Sequence, residues 1–238
     1  LAPELKEKLR AEFEKDWRKD LRKAVPPKDR MKQARQKMPE RSADERNKDF
    51  KEVNLGLTQD MAQAEARRCL DCANPQCVAG CPVSIDIPSF VKLIERGEFL
   101  AAAWKLKDTN SLPAICGRVC PQETQCEELC AMKKATGVPV AIGNLERFAS
   151  DFERLSGSVN IPQLPPPSGK KVAVIGAGPA GLTVAATVAS AEPFGEQTLG
   201  PAGEITNWLA LADIPIPAAS NTWAATMARD LLAPVGGE

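Results

Sequence analysis

The sequence predicts a mainly α-helical protein, with a cysteine-bearing helical domain followed by a partial α/β segment. Three observations predict it. All eight cysteines fall between positions 69 and 130, among helix-forming stretches. Residues 161–169 are dense in proline, which favours extended backbone and excludes helix, so they read as a semi-rigid linker. Beyond them, Lys171, Val172, Ala173, Val174 and Ile175 form a short buried-strand pattern that leads straight into glycines.

The elements follow in order. Residues 1–55 read as a charged helical arm, solvated or packed on a partner, with breaks at Pro26-Pro27 and at Met38-Pro39. Residues 56–160 hold the cysteines. Thr58 is placed to cap a helix running through Met61, Ala62, Glu65 and Ala66 toward Cys69. A second helix is expected after Pro88, with Phe90, Leu93 and Ile94 on one face, and a third from Phe99 to Leu106, with Pro113 ending that region. Residues 170–238 carry the glycine motif and then a stretch that does not read as a nucleotide-binding sheet. In that stretch, residues 202–211 and 224–232 are candidate helices.

Composition removes several function classes. The 31 basic and 31 acidic residues cancel, so no global charge points to nucleic acid or to an acidic membrane surface. No apolar run approaches bilayer length and no secretory signal opens the chain, so a cytoplasmic location is expected. Nearly half of the charged residues lie in the first sixty positions. The chain has no His and no Tyr, which removes the commonest general base and metal ligand. Chemistry near neutral pH therefore falls to cysteine, carboxylate or a bound cofactor.

The cysteines carry the strongest signal. Cys69, Cys72, Cys77 and Cys81 are spaced C-x2-C-x4-C-x3-C and followed by Pro82. Cys116, Cys120, Cys126 and Cys130 are spaced C-x3-C-x5-C-x3-C, with Pro121 after Cys120. Disulfides need an oxidising compartment, and nothing here signals export. Zinc sites usually pair two short knuckles per ion and give the Cys-Pro steps no role. Iron–sulfur clusters explain the spacing best. A tight loop gives three thiolates to one cubane and a distant point in the chain closes it. In two-cluster ferredoxins the cysteine before proline serves the other cluster.

The second signal is Gly176, Ala177, Gly178, Pro179, Ala180 and Gly181, a G-x-G-x-x-G turn that follows a β-branched strand and opens an alanine-rich helix. That context suits a dinucleotide pyrophosphate at a helix N-terminus. The acidic strand end expected some twenty residues later is missing. Glu196 has the distance but the wrong surroundings.

The run Gly56-Leu57-Thr58, Ala62, Glu65-Ala66-Arg67-Arg68-Cys69 and Cys72, with Ile85-Asp86-Ile87-Pro88, resembles the small subunit of NADPH-dependent glutamate synthase. So do Cys116-Gly117-Arg118-Val119-Cys120-Pro121, the stretch from Pro139 through Gly143 and Glu146 to Phe148, and the glycine motif. The amino-terminal part of dihydropyrimidine dehydrogenase and the large subunit of electron-bifurcating transhydrogenases share the pattern. The resemblance spans roughly Met38 to Ala189. It implies an α-helical ferredoxin-like domain with two [4Fe–4S] clusters, followed here by a partial Rossmann-like α/β FAD-binding segment. Electrons would pass from flavin through the clusters to a partner oxidoreductase subunit or domain. From Ser190 onward the chain does not align with that family, so an NAD(P)H site is not expected in it and the FAD site is expected to be incomplete. A non-catalytic carrier or adapter with a vestigial nucleotide motif is the alternative.

Read with the resemblance, the crossing logic assigns Cys69, Cys72 and Cys77 to one cluster, closed by Cys130. The other receives Cys81, Cys120 and Cys126, with either Cys116 or a non-cysteine as fourth ligand. The resemblance implies Glu146, a harder donor that would adjust that cluster's potential and couple it to pH, and leaves Cys116 as a packed thiol.

Overall fold

A computed structural model of the chain describes residues 1–160, Val174, Gly176 and residues 178–190. Those residues are helical, and their one β contact is an isolated antiparallel bridge between Glu40 and Asn54. The proline-rich stretch 161–169, the expected strand apart from Val174, Ala177, and the candidate helices beyond 190 lie outside the described residues.

The arm contributes α1 (Pro3–Phe13), α2 (Asp16–Ala24), α3 (Pro27–Met31) and the one-turn α4 (Ala43–Arg46). The break between α2 and α3 falls at Pro26-Pro27. Pro27 opens α3, where a missing N–H costs nothing. The cysteine region contains α5 (Gln59–Arg67), α6 (Gln76–Ala79), α7 (Ile87–Glu95), α8 (Phe99–Lys107), α9 (Pro113–Val119), α10 (Ala131–Thr136) and α11 (Ile142–Ser156). The glycine motif leads into α12 (Pro179–Ser190).

Local chemistry sets these boundaries. The Thr58 hydroxyl accepts the Met61 N–H at 3.3 Å and caps α5. The Asp86 carboxylate accepts the Ser89 N–H at 3.3 Å and caps α7. That helix therefore starts at Ile87 and carries Pro88 in its first turn, two residues ahead of the sequence expectation. Pro113 does not simply close the preceding region: it sits at the first position of α9. Proline excludes helix before itself and favours helix after itself, and here the second tendency is used.

The core lies where α5, α7, α8 and α11 meet. Ala62 and Ala66 from α5, Phe90, Val91 and Ile94 from α7, Ala102, Ala103 and Leu106 from α8, and Leu145 and Ala149 from α11 are fully buried. Phe99 meets Phe148 edge-on, with ring centroids 5.0 Å apart, and meets Phe152 at the same distance. Each such side chain stabilises the fold by about 1.5–3 kcal/mol through apolar burial.

The arm is not a solvated appendage. Arg18 and Arg30 are each only 1% exposed, and both bury their guanidinium groups against the cysteine region. The buried pair of Glu65 and Arg68 (2.6 Å) ties three segments together. Glu65 accepts the N–H groups of Gln36 (2.7 Å) and Ala141 (2.8 Å). Arg68 donates to the carbonyls of Gln33, Val138 and Pro139.

Candidate metal centre

Short helices and their ends place the eight cysteines. Cys69 follows α5, and its N–H reaches the Ala66 carbonyl at 3.1 Å. Cys72 lies in the next loop, Cys77 within α6, and Cys81 directly after it. Cys116 lies within α9 and Cys120 ends it, donating its N–H to the Cys116 carbonyl at 3.1 Å. Cys126 lies in the loop after a short 3-10 turn (Gln122–Thr124), and Cys130 immediately precedes α10. None of the eight is in a disulfide.

The two halves are in direct backbone contact at one point. A Cβ built on Gly80 would meet the Gln125 carbonyl oxygen at 2.7 Å and the Cys126 Cα at 3.2 Å. Only glycine fits there, and it brings the end of the first half, at Cys81, against Cys126 of the second.

Mutual electrostatics divide the thiols into two groups. Burial pushes the Cys72 thiol up to about 12, and the neighbouring thiolates of Cys69 and Cys130 push in the same direction. Cys77 is raised strongly, by burial and then by Cys69, Cys130 and Cys72. Cys69 is also raised by burial, with Cys130 among its neighbours and the Lys92 ammonium opposing. Cys130 thus belongs in space with Cys69, Cys72 and Cys77, far from it in sequence. Cys120 is raised to about 11 by burial, then by Cys116, Glu146 and Cys81. Cys126 is raised to about 12 by burial, then by Glu127, Cys81 and Glu146. Cys81, Cys120, Cys126, Cys116 and Glu146 therefore make up a second neighbourhood, and Cys126 also adds to the rise at Cys77 in the first.

Within the second group one polar residue was not legible in the sequence. Asn110 donates its amide to Glu146 Oε1 at 2.8 Å, and its carbonyl oxygen accepts the Cys116 thiol at 3.6 Å and the Leu112 N–H at 3.0 Å. Burial raises the Glu146 carboxyl to about 7, against the opposing pull of the Asn110 hydrogen bond. No motif marks Asn110; only the fold brings it to both candidates for the fourth position.

Thiols this buried and this close cannot ionise together without a compensating cation, and a metal centre removes that obstacle because a coordinating thiol is deprotonated outright. Among the described residues, no three Cys, Asp or Glu side chains converge tightly enough to hold one ion. A single zinc, with Zn–S near 2.3 Å, needs its thiolates almost in contact. A cubane carries its irons at separate corners and takes ligands standing further apart. The donor set, eight cysteines with Glu146 beside the second group, is of the kind that iron–sulfur clusters take.

The glycine motif is described in part. Gly176 has φ of +104°, and a Cβ on Gly181 would overlap the Gly176 carbonyl, so the turn is closed tightly onto the helix start. Pro179 opens α12, and the Leu182 N–H bonds the Gly178 carbonyl at 2.9 Å. Gly176, Gly178, Pro179, Ala180 and Gly181 are thus in a turn-to-helix arrangement, while Ala177 lies outside the described residues.

Residues 46–158 match the family described as dihydropyrimidine dehydrogenase domain II, 4Fe-4S cluster. The chain is 43% identical over 144 residues to the glutamate synthase [NADPH] small chain of Escherichia coli (strain K12), covering 58% of this chain and 29% of that protein. It is 41% identical over 152 residues to the corresponding chain of Azospirillum brasilense, covering 63% and 31%. It is 39% identical over 137 residues to the NAD-dependent dihydropyrimidine dehydrogenase subunit PreT of Escherichia coli (strain K12), covering 58% and 33%. The resemblance read from the motifs is thereby shown, and the segment is an iron–sulfur domain of the kind found in those oxidoreductases. The chain spans about a third or less of the length of these relatives. No helix among the described residues is long and apolar enough to cross a membrane.

Proposed function

We propose that residues 56–160 form an α-helical ferredoxin-like domain holding two [4Fe–4S] clusters, and that the chain is an electron-transfer component of an FAD- and NAD(P)H-dependent oxidoreductase similar to glutamate synthase small subunit. Cys69, Cys72, Cys77 and Cys130 would hold one cluster, and Cys81, Cys120, Cys126 and Glu146 the other. The single observation that supports this most is the pairing of Cys130 with the Cys69 group across the chain, with Cys81 joining Cys120 and Cys126 in return. Bound clusters supply one-electron redox chemistry at fixed positions. The chain's own contribution is to gather the thiolates into two groups, exclude water from Cys126 and Cys130, and set the charge around each centre.

The arm, residues 1–55, packs the domain. Residues 161–169 serve as a linker, and residues 170–238 as a partial FAD-binding segment. Support for FAD comes from the Gly176–Gly181 turn, whose helix N-terminus would face a pyrophosphate. A partner subunit or domain receives the electrons.

Visible absorption with iron and sulfide analysis of anaerobically prepared protein tests this reading. A broad iron–sulfur shoulder with iron for two clusters is expected, and flavin bands should accompany it. The shoulder without flavin would favour a carrier subunit, and stoichiometric zinc would overturn the cluster reading. Gly178→Leu should abolish flavin retention and leave iron unchanged; flavin kept in that variant would reduce the motif to a turn.

A further inference from the structure

The arm before residue 46 lies outside the matched segment, yet it sends arginines to residues flanking the cysteines. Asp71 stands between Cys69 and Cys72, is 2% exposed, and has φ of +53°, a left-handed conformation uncommon without glycine. Such a conformation persists only where surroundings over-determine it. Here two arginines of α2 do so. Arg18 pairs with both carboxylate oxygens of Asp71 and donates to Ser89 Oγ at 3.0 Å, which also anchors it to α7. Arg22 reaches Asp71 Oδ2 at 2.6 Å and the Phe13 carbonyl at 3.0 Å.

A second line runs through α3. Arg30 donates to both Glu95 oxygens at 3.0 Å and to the Arg67 carbonyl at 2.7 Å. Glu95 bonds Lys92 at 2.5 Å, and Lys92, fully buried, donates to the Cys69 carbonyl at 2.7 Å. Both lines end on the same short loop.

We propose that the arm is a positioning strap for the first thiol group, in which Arg18, seconded by Arg22, locks the Cys69–Cys72 turn through Asp71 and keeps that group closed around its cluster. Arg18 touches no cluster atom; it acts through Asp71. Removing it leaves a buried carboxylate short of donors, and relaxing the left-handed turn to rehydrate that carboxylate swings Cys69 and Cys72 apart. The inference rests on reading Cys69, Cys72, Cys77 and Cys130 as ligands of one cluster.

The test is the rate of iron transfer to a colorimetric chelator from the anaerobically reconstituted full chain, with EPR of the reduced protein alongside. Arg18→Ala should accelerate the phase that Cys72→Ser eliminates by about 10- to 100-fold, the usual size of an outer-shell effect. The other phase and the helical circular dichroism should stay unchanged, and the EPR signal of that one cluster should shift. Arg18→Lys, which keeps charge without the fork, should fall between. Wild-type rates in both phases, or equal acceleration of both, would overturn the proposal. If Arg18→Ala gives no folded protein, Arg22→Ala carries the same test: the same phase should speed up by a smaller factor, and wild-type rates there would overturn it. Failure of the cluster reading is distinct: wild-type protein would take up no iron if there were no clusters, and Cys130→Ser would eliminate a different phase from Cys72→Ser if the ligand set were wrong.

Discussion

The two thiol groups use similar donors but sit in different electrostatic frames, one with cations close by and one without. Around Cys69, Cys72 and Cys77 charges of both signs stand near: the Asp71 carboxylate raises Cys69 and Cys72, the Lys92 ammonium opposes it, and Arg18 and Arg22 converge on Asp71. Around Cys120 and Cys126 they are anionic: Glu146 and Glu127 both raise the thiols, and Glu127 is paired with Arg35 at 2.9 Å. The difference teaches that a repeated cysteine pattern does not make equivalent sites. The arm braces the first group through several buried contacts, while the second depends on α9, α11 and Asn110. A cluster's potential follows net local charge and hydrogen bonding, so clusters held by the two groups would differ in potential.

The largest expected effect lies in the joint between the two regions. Arg68→Met strips the partner from buried Glu65, which also holds Gln36 and Ala141, and should cost about 3–5 kcal/mol in urea unfolding. Arg118→Met removes an exposed pair with Glu52 and Asp151 and should cost about 1 kcal/mol or less. Equal losses would mean that the buried pair does not join the halves. A smaller effect should appear in a spectroscopic redox titration. The reduced protein should show two cluster signals with separate midpoints, the more negative belonging to the cluster that a Cys120→Ser variant loses. Coincident midpoints would break the contrast between the mixed and the anionic frame.

Much of this was legible in the sequence because it is local. Thr58 as a cap, the apolar face of Phe90 and Ile94, and the two cysteine runs depend on neighbours a few residues away. What was hidden depends on distant partners. Arg18 reads as one more charge in a solvated arm, since its partner Asp71 lies 53 positions on. Asn110 carries no motif, and its meaning comes from Glu146, 36 positions away. Pro113 was ambiguous for another reason: proline both stops and starts helices, and only packing against α11 selects the start. The longest described helix, α11, went unread although Leu145, Phe148, Ala149 and Phe152 recur at helical spacing, because its stretch was read as a motif instead of for its period.

The central claim is that the chain crosses itself, with Cys130 closing the group formed by Cys69, Cys72 and Cys77. Iron content and EPR of Cys130→Ser against Cys116→Ser test it most directly. Cys130→Ser should lose one cluster and keep the signal that Glu146→Ala perturbs, whereas Cys116→Ser should retain both. Loss of the Glu146-sensitive cluster in Cys130→Ser, with the other intact, would contradict the crossing.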